Sequence, residues 1–506
     1  MIMAEPMNKK ILFFWPNTSN RGRITMSIPV LIAIAKDMGW TVKYFDTSFY
    51  VKADDSFIDR EKTGTFKFVQ GENTSQTKSA NDILPDLQKV IDDFQPNIIA
   101  ITGMTNDFQY MVNFFPQLNI PNDTKVVFGG VHALHNSEEV LHTIKANVTC
   151  FGQGEYILPE ILTRIENNQS INGIPGTAHL AKKTGQAVIN PVSSILSAQD
   201  IWKIPPDYSF YDQRYYSYPF DGKMVNMFWL EVGRGCPYGC TYCEAPQLRK
   251  LYKGMGKYVV SRPMDDIFDT IKTVQEKYDI DVFNITHECF LSQKKEWLKE
   301  FCVRWAKEVR KSFLIQTRME TVTQEKLDIL KKSEAPIIQI GQGIESGSKR
   351  ILKYICNRRM NIKEVVKSYK MMKDQGFRTN AFYMIGFPTE TRDEIFETID
   401  LCRQVDADID SVSIFQPYPG LPLTKMCIDN GWISGDEEIP SFTDRSIIYQ
   451  PSISPDEVAN LRRVFVLYAK LPNKYYSKIK LCEDNPQKTA LFQELIDLRW
   501  SLHDRL

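Results

Sequence analysis

Nowhere does the chain run to the ~20 consecutive apolar residues that a membrane-spanning helix needs. The apolar run Ile11-Leu12-Phe13-Phe14-Trp15 is far shorter and reads as a strand. Neither sign of charge is in excess: Lys+Arg and Asp+Glu each number 62, and the formal net charge is zero. That argues against broad electrostatic binding to nucleic acid or an anionic membrane, and leaves room only for a local basic patch. The opening MIMAEPMNKK has no apolar core of signal-peptide length, so the expected compartment is the cytosol, with no membrane span. In that compartment the ten cysteines are not expected to form a disulfide framework. Cys302 and Cys402, each inside a helical pattern, read as small buried apolar side chains. What the chain does have is 506 residues, 43% of them hydrophobic. That is enough for about two to four domains and more than one core.

Residues 9–168 alternate strand and helix signals. Strands are expected at 10–15, 41–45, 97–103, 125–128 and 148–151. Five strands with helices between them imply an α/β domain, a doubly wound, five-stranded parallel sheet covered on both faces. Ligands of such sheets bind beyond the carboxyl ends of the strands. The loops there read Thr102-Gly103, Gly129-Gly130-Val131-His132 and Gly152-Gln153-Gly154-Glu155. Each glycine taken singly serves a tight strand-to-helix turn. Three such loops in succession point to a ligand that approaches backbone closely. Residues 47–80 are polar and aperiodic, a length that marks a lid or an insert. Residues 169–226 read as a connector, with a hairpin about Lys183-Thr184-Gly185 and an aromatic stretch from Tyr208 to Phe220. That stretch suits inter-domain packing or, alternatively, a wall of a substrate cavity.

From residue 227 the alternation resumes, with strands expected at 227–232, 281–286, 313–317, 337–341, 379–384 and 411–415. Six β–α units over 227–425 suit a partial (β/α)6 barrel, whose chemistry sits at the strand carboxyl ends. Residues 426–506 read as a mainly helical C-terminal region.

Directly after the first of these strands comes Gly235-Cys236-Pro237-Tyr238-Gly239-Cys240-Thr241-Tyr242-Cys243. Thiolates suit iron–sulfur clusters, which normally take four protein ligands. Only three are close here, so one iron would stay open to a substrate or cofactor, as in open catalytic metal sites. A structural zinc would want a fourth ligand, and no Cys or His follows at finger-like spacing.

This C-x3-C-x2-C loop resembles that of the radical S-adenosylmethionine superfamily. The resemblance implies a 4Fe–4S cluster on Cys236, Cys240 and Cys243 that binds S-adenosylmethionine and cleaves it reductively to a 5′-deoxyadenosyl radical. Such chemistry is the cofactors' own, and the protein positions and shields it. Gly343-Ile344-Glu345-Ser346-Gly347 is similar to the family's ribose- and methionine-contacting stretch. Gly386-Phe387-Pro388-Thr389-Glu390 is similar to its G-x-P-x-E turn. Arg318 ends the third barrel strand where relatives often carry Arg, and Tyr242 lies within the cysteine motif. Where relatives carry an acidic pair and an aromatic, this chain has His287-Glu288-Cys289-Phe290. The resemblance leaves Glu288 to hold the amino group and makes His287 a departure, either structural or near substrate.

An α/β domain ahead of the barrel is similar to the cobalamin-binding subclass. The three glycine loops, from Thr102 to Glu155, are then expected to contact cobalamin, with a flavodoxin-like fold. Cobalamin carriers of the methionine-synthase type place a cobalt-ligating His after the first strand. Here that loop, Pro16-Asn17-Thr18-Ser19-Asn20-Arg21-Gly22-Arg23, has none. The implied activity is methylation of an unactivated carbon of a small molecule, lipid or peptide, with flavodoxin or ferredoxin as electron donor. A radical cyclase resembling the anaerobic porphyrin ring cyclase is the alternative. A methylthiotransferase is disfavoured, because the first half holds only Cys150 and so lacks a second three-cysteine site. A non-catalytic iron–sulfur protein would need a fourth ligand such as Cys289.

Overall fold

The computed structural model describes residues 9–18, 24–51, 56–67 and 78–503. The chain divides into two compact units that follow chain order only in part. Residues up to Asp54, Asn73–Ser217 and Leu248–Tyr278 form the first, and Asp55–Glu72, Tyr218–Gln247 and Asp279–Leu506 the second.

In the first unit, β1 (Lys10–Trp15), β2 (Thr41–Asp46), β3 (Ile98–Thr102), β4 (Lys125–Gly129) and β5 (Val148–Cys150) pair in parallel in the order 2-1-3-4-5. This is the flavodoxin-like doubly wound order, whose direction switches between β1 and β3. The side-chain alternation of β1 builds two cores. Ile11 and Phe13 pack with α1 (Ser27–Asp37) and with Ile157, Leu158 and Ile161 on one face. Leu12 and Phe14 pack on the other with Leu87 and Ile91 of α2 (Ile83–Phe94), with Phe108 of α3 (Thr105–Met111) and with Val140 of α4 (Val131–Thr143). Each such fully buried side chain contributes about 1.5–3 kcal/mol. That is why β1 reads as an unbroken apolar run rather than an alternating one.

The hairpin expected in the connector is part of this sheet. β6 (Thr177–Leu180) pairs antiparallel with β5, and β7 (Ala187–Asn190) antiparallel with β6, which makes seven strands. The aromatic stretch divides. Tyr211 and Phe210 pack on Tyr44, and the Tyr215 hydroxyl donates to Asp46 at 2.9 Å, all within the first unit. Tyr218 packs edge-on to Trp229 in the second.

The second unit holds β8 (Ser217–Phe220), β9 (Lys223–Glu231), β10 (Val282–Thr286), β11 (Ser312–Arg318), β12 (Ile337–Glu345), β13 (Arg378–Ile385) and β14 (Ile409–Ile414), hydrogen-bonded in chain order. From β9 to β14 every pairing is parallel, as a partial barrel requires. The helix after β13, Arg392–Val405, starts with a reciprocal capping box between Thr391 and Glu394. Helices Pro455–Lys470, Tyr476–Asp484 and Thr489–His503 complete the C-terminal region. Cys302 and Cys402 are fully buried. Among the described residues, no helix is long and apolar enough to cross a membrane.

Candidate metal centre and ligand loops

The cysteine loop leaves the carboxyl end of β9 through Gly235, whose φ of +89° is open to glycine at little cost. Its amide donates to Glu288 Oε1 at 2.9 Å, which joins the loop to the end of β10. Asn357 Nδ2 donates to the Gly239 carbonyl at 2.8 Å, and the Thr241 hydroxyl donates to the Ile355 carbonyl. The loop is therefore clamped on both flanks of Cys240 by one segment that follows β12. Cys240 is buried, and Cys236 and Cys243 are half-buried.

Burial raises the Cys236 thiol pKa, and Cys289 and Cys240 add to the rise. Burial likewise pushes Cys243 up to about 11, with Cys240 and Cys236 contributing. A metal bound to Cys236 and Cys243 would offset this rise, because metal ligands must be deprotonated. Among the described residues, no three His, Cys, Asp or Glu side chains converge as they would round one ion.

Arg318, at the end of β11, points a guanidinium nitrogen at Cys240 Sγ, 3.0 Å away. Glu320 holds it at 2.6 Å, and the guanidinium lies 3.8 Å from the centre of the Tyr238 ring. From β12, Gly343 and Glu345 reach the same region through Arg358. That guanidinium, 2% exposed, donates to Glu345 Oε1 at 2.8 Å, to the Tyr242 hydroxyl at 3.1 Å and to the Gly343 carbonyl at 2.7 Å. Glu345 itself sits at a φ of +71°, a backbone strain held by this network. Arg358, Asn357 and Glu320 were not marked by any motif or periodicity in the sequence. Only contacts between distant segments single them out.

Other expected contact residues have local tasks. The Ser346 hydroxyl is buried 3.2 Å from Thr398 Oγ1, in helix Arg392–Val405. The adjoining Gly347 lies so close to that helix that a Cβ would sit 2.2 Å from the Glu397 carbonyl. Gly386 and Phe387 both donate amides to Glu390 Oε2, at 2.6 and 3.1 Å, and so close the turn that carries the buried Pro388. The Phe387 ring packs edge-on to Tyr242. His287 is buried with its pKa pushed down to about 4, so it is neutral. Its Nδ1 accepts from the Cys289 amide at 3.0 Å, a structural task. Cys289 Sγ lies 3.5 Å from Thr317 Oγ1.

In the first unit the glycine loops meet one another. Thr102 and Gly129 are register partners across β3 and β4, and the Gly103 amide donates to the Gly129 carbonyl at 3.1 Å. Gly130 has a φ of +115°, and a Cβ there would lie 2.4 Å from the Gly103 carbonyl. Gly152 packs on Gly176, Gly154 on Leu31, and Gln153 Oε1 accepts from the Leu196 amide at 2.7 Å. Glu155 lies in the first turn of α5 (Gly154–Glu166). His132 is 2% exposed, stacked on Phe108 and 3.3 Å from Thr105 Oγ1, so it is not displayed on the loop surface. Three apolar side chains are displayed: Met104 at 62%, Val131 at 37% and Tyr156 at 38%. Residues 19–23 of the first loop, where no cobalt-ligating His is expected, lie outside the described residues.

Residues 230–402 match the model of the radical SAM superfamily. An uncharacterized methyltransferase of Pyrococcus horikoshii is 25% identical over 68% of this chain and 72% of its own length. The anaerobic magnesium-protoporphyrin IX monomethyl ester cyclase of Rubrivivax gelatinosus is 22% identical over 67% of this chain and 60% of its own. The radical S-adenosylmethionine methyltransferase TsrM from Kitasatospora setae, solved with cobalamin and a 4Fe–4S cluster bound, superposes with a TM-score of 0.60. It is 17% identical, over 83% of this chain and 79% of that one. The matched region contains the cysteine loop, so residues 230–402 form a radical S-adenosylmethionine superfamily domain. The fold of the chain is like that of TsrM.

Proposed function

We propose that this chain is a cobalamin-dependent radical S-adenosylmethionine methyltransferase, with a 4Fe–4S cluster on Cys236, Cys240 and Cys243 and an unactivated carbon as methyl acceptor. The observation that carries it is the convergence of Arg318 on Cys240 and of Arg358 on Gly343, Glu345 and Tyr242, around three recessed thiols. With cluster and S-adenosylmethionine bound, the cofactors supply a reductive cleavage that yields a carbon-centred radical. The chain's own residues orient that event. Arg318 stabilises the Cys240 thiolate with a charge-assisted hydrogen bond. Glu288, exposed at the end of β10, is an acceptor for an amino group. Gly343 offers backbone without a side chain, and Arg358 holds the Glu345 carboxylate in place.

Cobalamin is assigned to the carboxyl edge of the first sheet. The order 2-1-3-4-5 provides the switch point, and Met104, Val131 and Tyr156 provide an apolar surface for a large ring. Electrons come from a flavodoxin or ferredoxin. Similarity to the ring cyclase favours one second reading, a radical cyclisation on the same architecture.

The test is anaerobic reconstitution with iron, sulfide and cobalamin, followed by mass spectrometry of extracts incubated with methyl-labelled S-adenosylmethionine. Label in a product supports methylation. An unlabelled product formed with 5′-deoxyadenosine supports cyclisation. Undiminished 5′-deoxyadenosine from Cys240→Ala would overturn the cluster assignment.

A further inference from the structure

The lumen of a β/α barrel is normally filled with branched apolar side chains in layers. This one is not. At the amino-end half of the sheet it holds a cavity of 180 Å³, entirely within the second unit. Its walls carry Asn284, Gln316, Gln339, Asn380 and Ser411. The register shows how these gather. Gln339 lies across the ladder from Leu314 and Arg378, and Gly341 lies between Gln316 and Asn380. Register partners share a face, so the two rows present amides to one space. Gly341 leaves room for the Phe382 ring, which a Cβ would meet at 2.9 Å. Gln316, in mid-strand, is solvent-exposed, while Gln339 is 6% exposed and its Oε1 has no hydrogen-bond partner among the described residues. A buried polar group without a partner costs about 1–3 kcal/mol. Gln339 is therefore a functional signal within a polar row in which Ser411 donates to Asn380 Oδ1 at 3.3 Å.

The remaining walls add charge and aromatic surface. Arg60 and Lys67 lie in residues 56–67, where the Asp59–Arg462 ion pair ties the helix Ser56–Lys62 to the C-terminal helix Pro455–Lys470; Arg60 lies over the Phe66 ring and Lys67 over the Trp500 ring. Arg378 is the third cation. Of the two acids, Asp221 is engaged by Arg378 at 2.8 Å, and Asp408 accepts from the Thr379 amide and hydroxyl at 2.7 and 2.8 Å. Tyr218, Phe220, Phe66 and Trp500 supply apolar faces. The cavity's upper wall, Phe382 and Ser411, is in register with Gly343 and Arg318, so it ends just below the cysteine loop.

We propose that this lumen is a binding site for a small aromatic or apolar carboxylic acid, its anion near Arg60 and Lys67 and its body among the rings. At 180 Å³ the space is below the ~300–1,000 Å³ of drug-sized sites, so the ligand is of amino-acid size or is the end of a longer molecule. Binding there needs no metal on the cysteine loop.

The experiment is equilibrium dialysis of the full chain, without cofactors, against labelled phenylacetate, with neutral phenylacetamide as comparison. Saturable phenylacetate binding is expected. The amide should bind about tenfold more weakly, and Lys67→Gln should weaken phenylacetate by about tenfold, as for loss of one charge-assisted contact. Ser411→Leu, which fills the cavity, should abolish binding. Lys67→Gln, outside the core, decides the matter if Ser411→Leu does not fold. Absence of saturable binding, equal binding of acid and amide, or binding untouched by the folded variants would overturn the site. 5′-Deoxyadenosine formation is read separately, so failure here leaves the methyltransferase reading standing.

Discussion

Arg358 is the residue on which most of the site depends. It is almost wholly buried, which by itself would lower its pKa, but Tyr242, Glu345, Cys240 and Glu320 hold that pKa above the ordinary value. Removing one member of a buried charge pair costs about 3–5 kcal/mol, because the other is left unpaired. Arg358→Ala should therefore lower the urea midpoint sharply and abolish 5′-deoxyadenosine formation. Arg358→Lys keeps the charge but not the fork, and should recover stability more than activity. Retained cleavage in the Ala variant would remove Arg358 from the site. Glu390 gives a pH prediction at the same scale. Burial raises its pKa to about 8, against donation from the Phe387 and Gly386 amides. The folded form thus keeps a proton that the unfolded form releases near pH 4.5. Its contribution is intact below that pH, falls as pH rises, and is lost by about pH 8. At 1.36 kcal/mol per tenfold change in proton affinity, the loss is on the order of 4 kcal/mol. Urea midpoints of Glu390→Gln should be flatter than those of the parent between pH 5 and 8, and parallel curves would refute the assignment.

At the scale of elements, the glycine loops show what a pattern can and cannot say. Gly130 combines a φ of +115° with a contact on the Gly103 carbonyl that no side chain can share. Gly130→Ala should cost about 1–3 kcal/mol from backbone strain alone, measured by denaturant unfolding, even with no cobalamin present. An unchanged midpoint would show that the loop opens freely. The loops' positions at strand ends were legible from periodicity, because local signals set them. Their mutual packing was not, since it joins residues such as Gly103 and Gly130 through space. The same distinction separates Cys236, Cys240 and Cys243, which are local and readable, from Arg358, which meets Tyr242 across 116 residues. It also explains the hairpin, recognised from its turn but not assigned to the sheet, because strand pairing is a tertiary choice.

At the scale of the molecule, the crossover between β9 and β10 belongs to the other unit. Leu248–Tyr278 groups with the first unit although both strands it joins are in the second. The Tyr278 hydroxyl is the clearest tie, donating toward the Tyr208 and Tyr211 carbonyls, each at 2.8 Å. Tyr216 stacks at a tilt on the same ring. A fragment beginning at residue 218 would keep the helix Met264–Lys277 and lose these partners. The buried Tyr278 ring and hydroxyl would then lose the Tyr208, Tyr211 and Tyr216 contacts, and the ring would meet water at about 25 cal/mol per Å² of apolar area. The 218–506 fragment should bind a hydrophobic dye and unfold without a sharp transition. Added 9–217 should restore cooperativity in the mixture. A fragment that unfolds sharply alone and binds no dye would show that residues 218–506 fold without the Tyr208, Tyr211 and Tyr216 contacts.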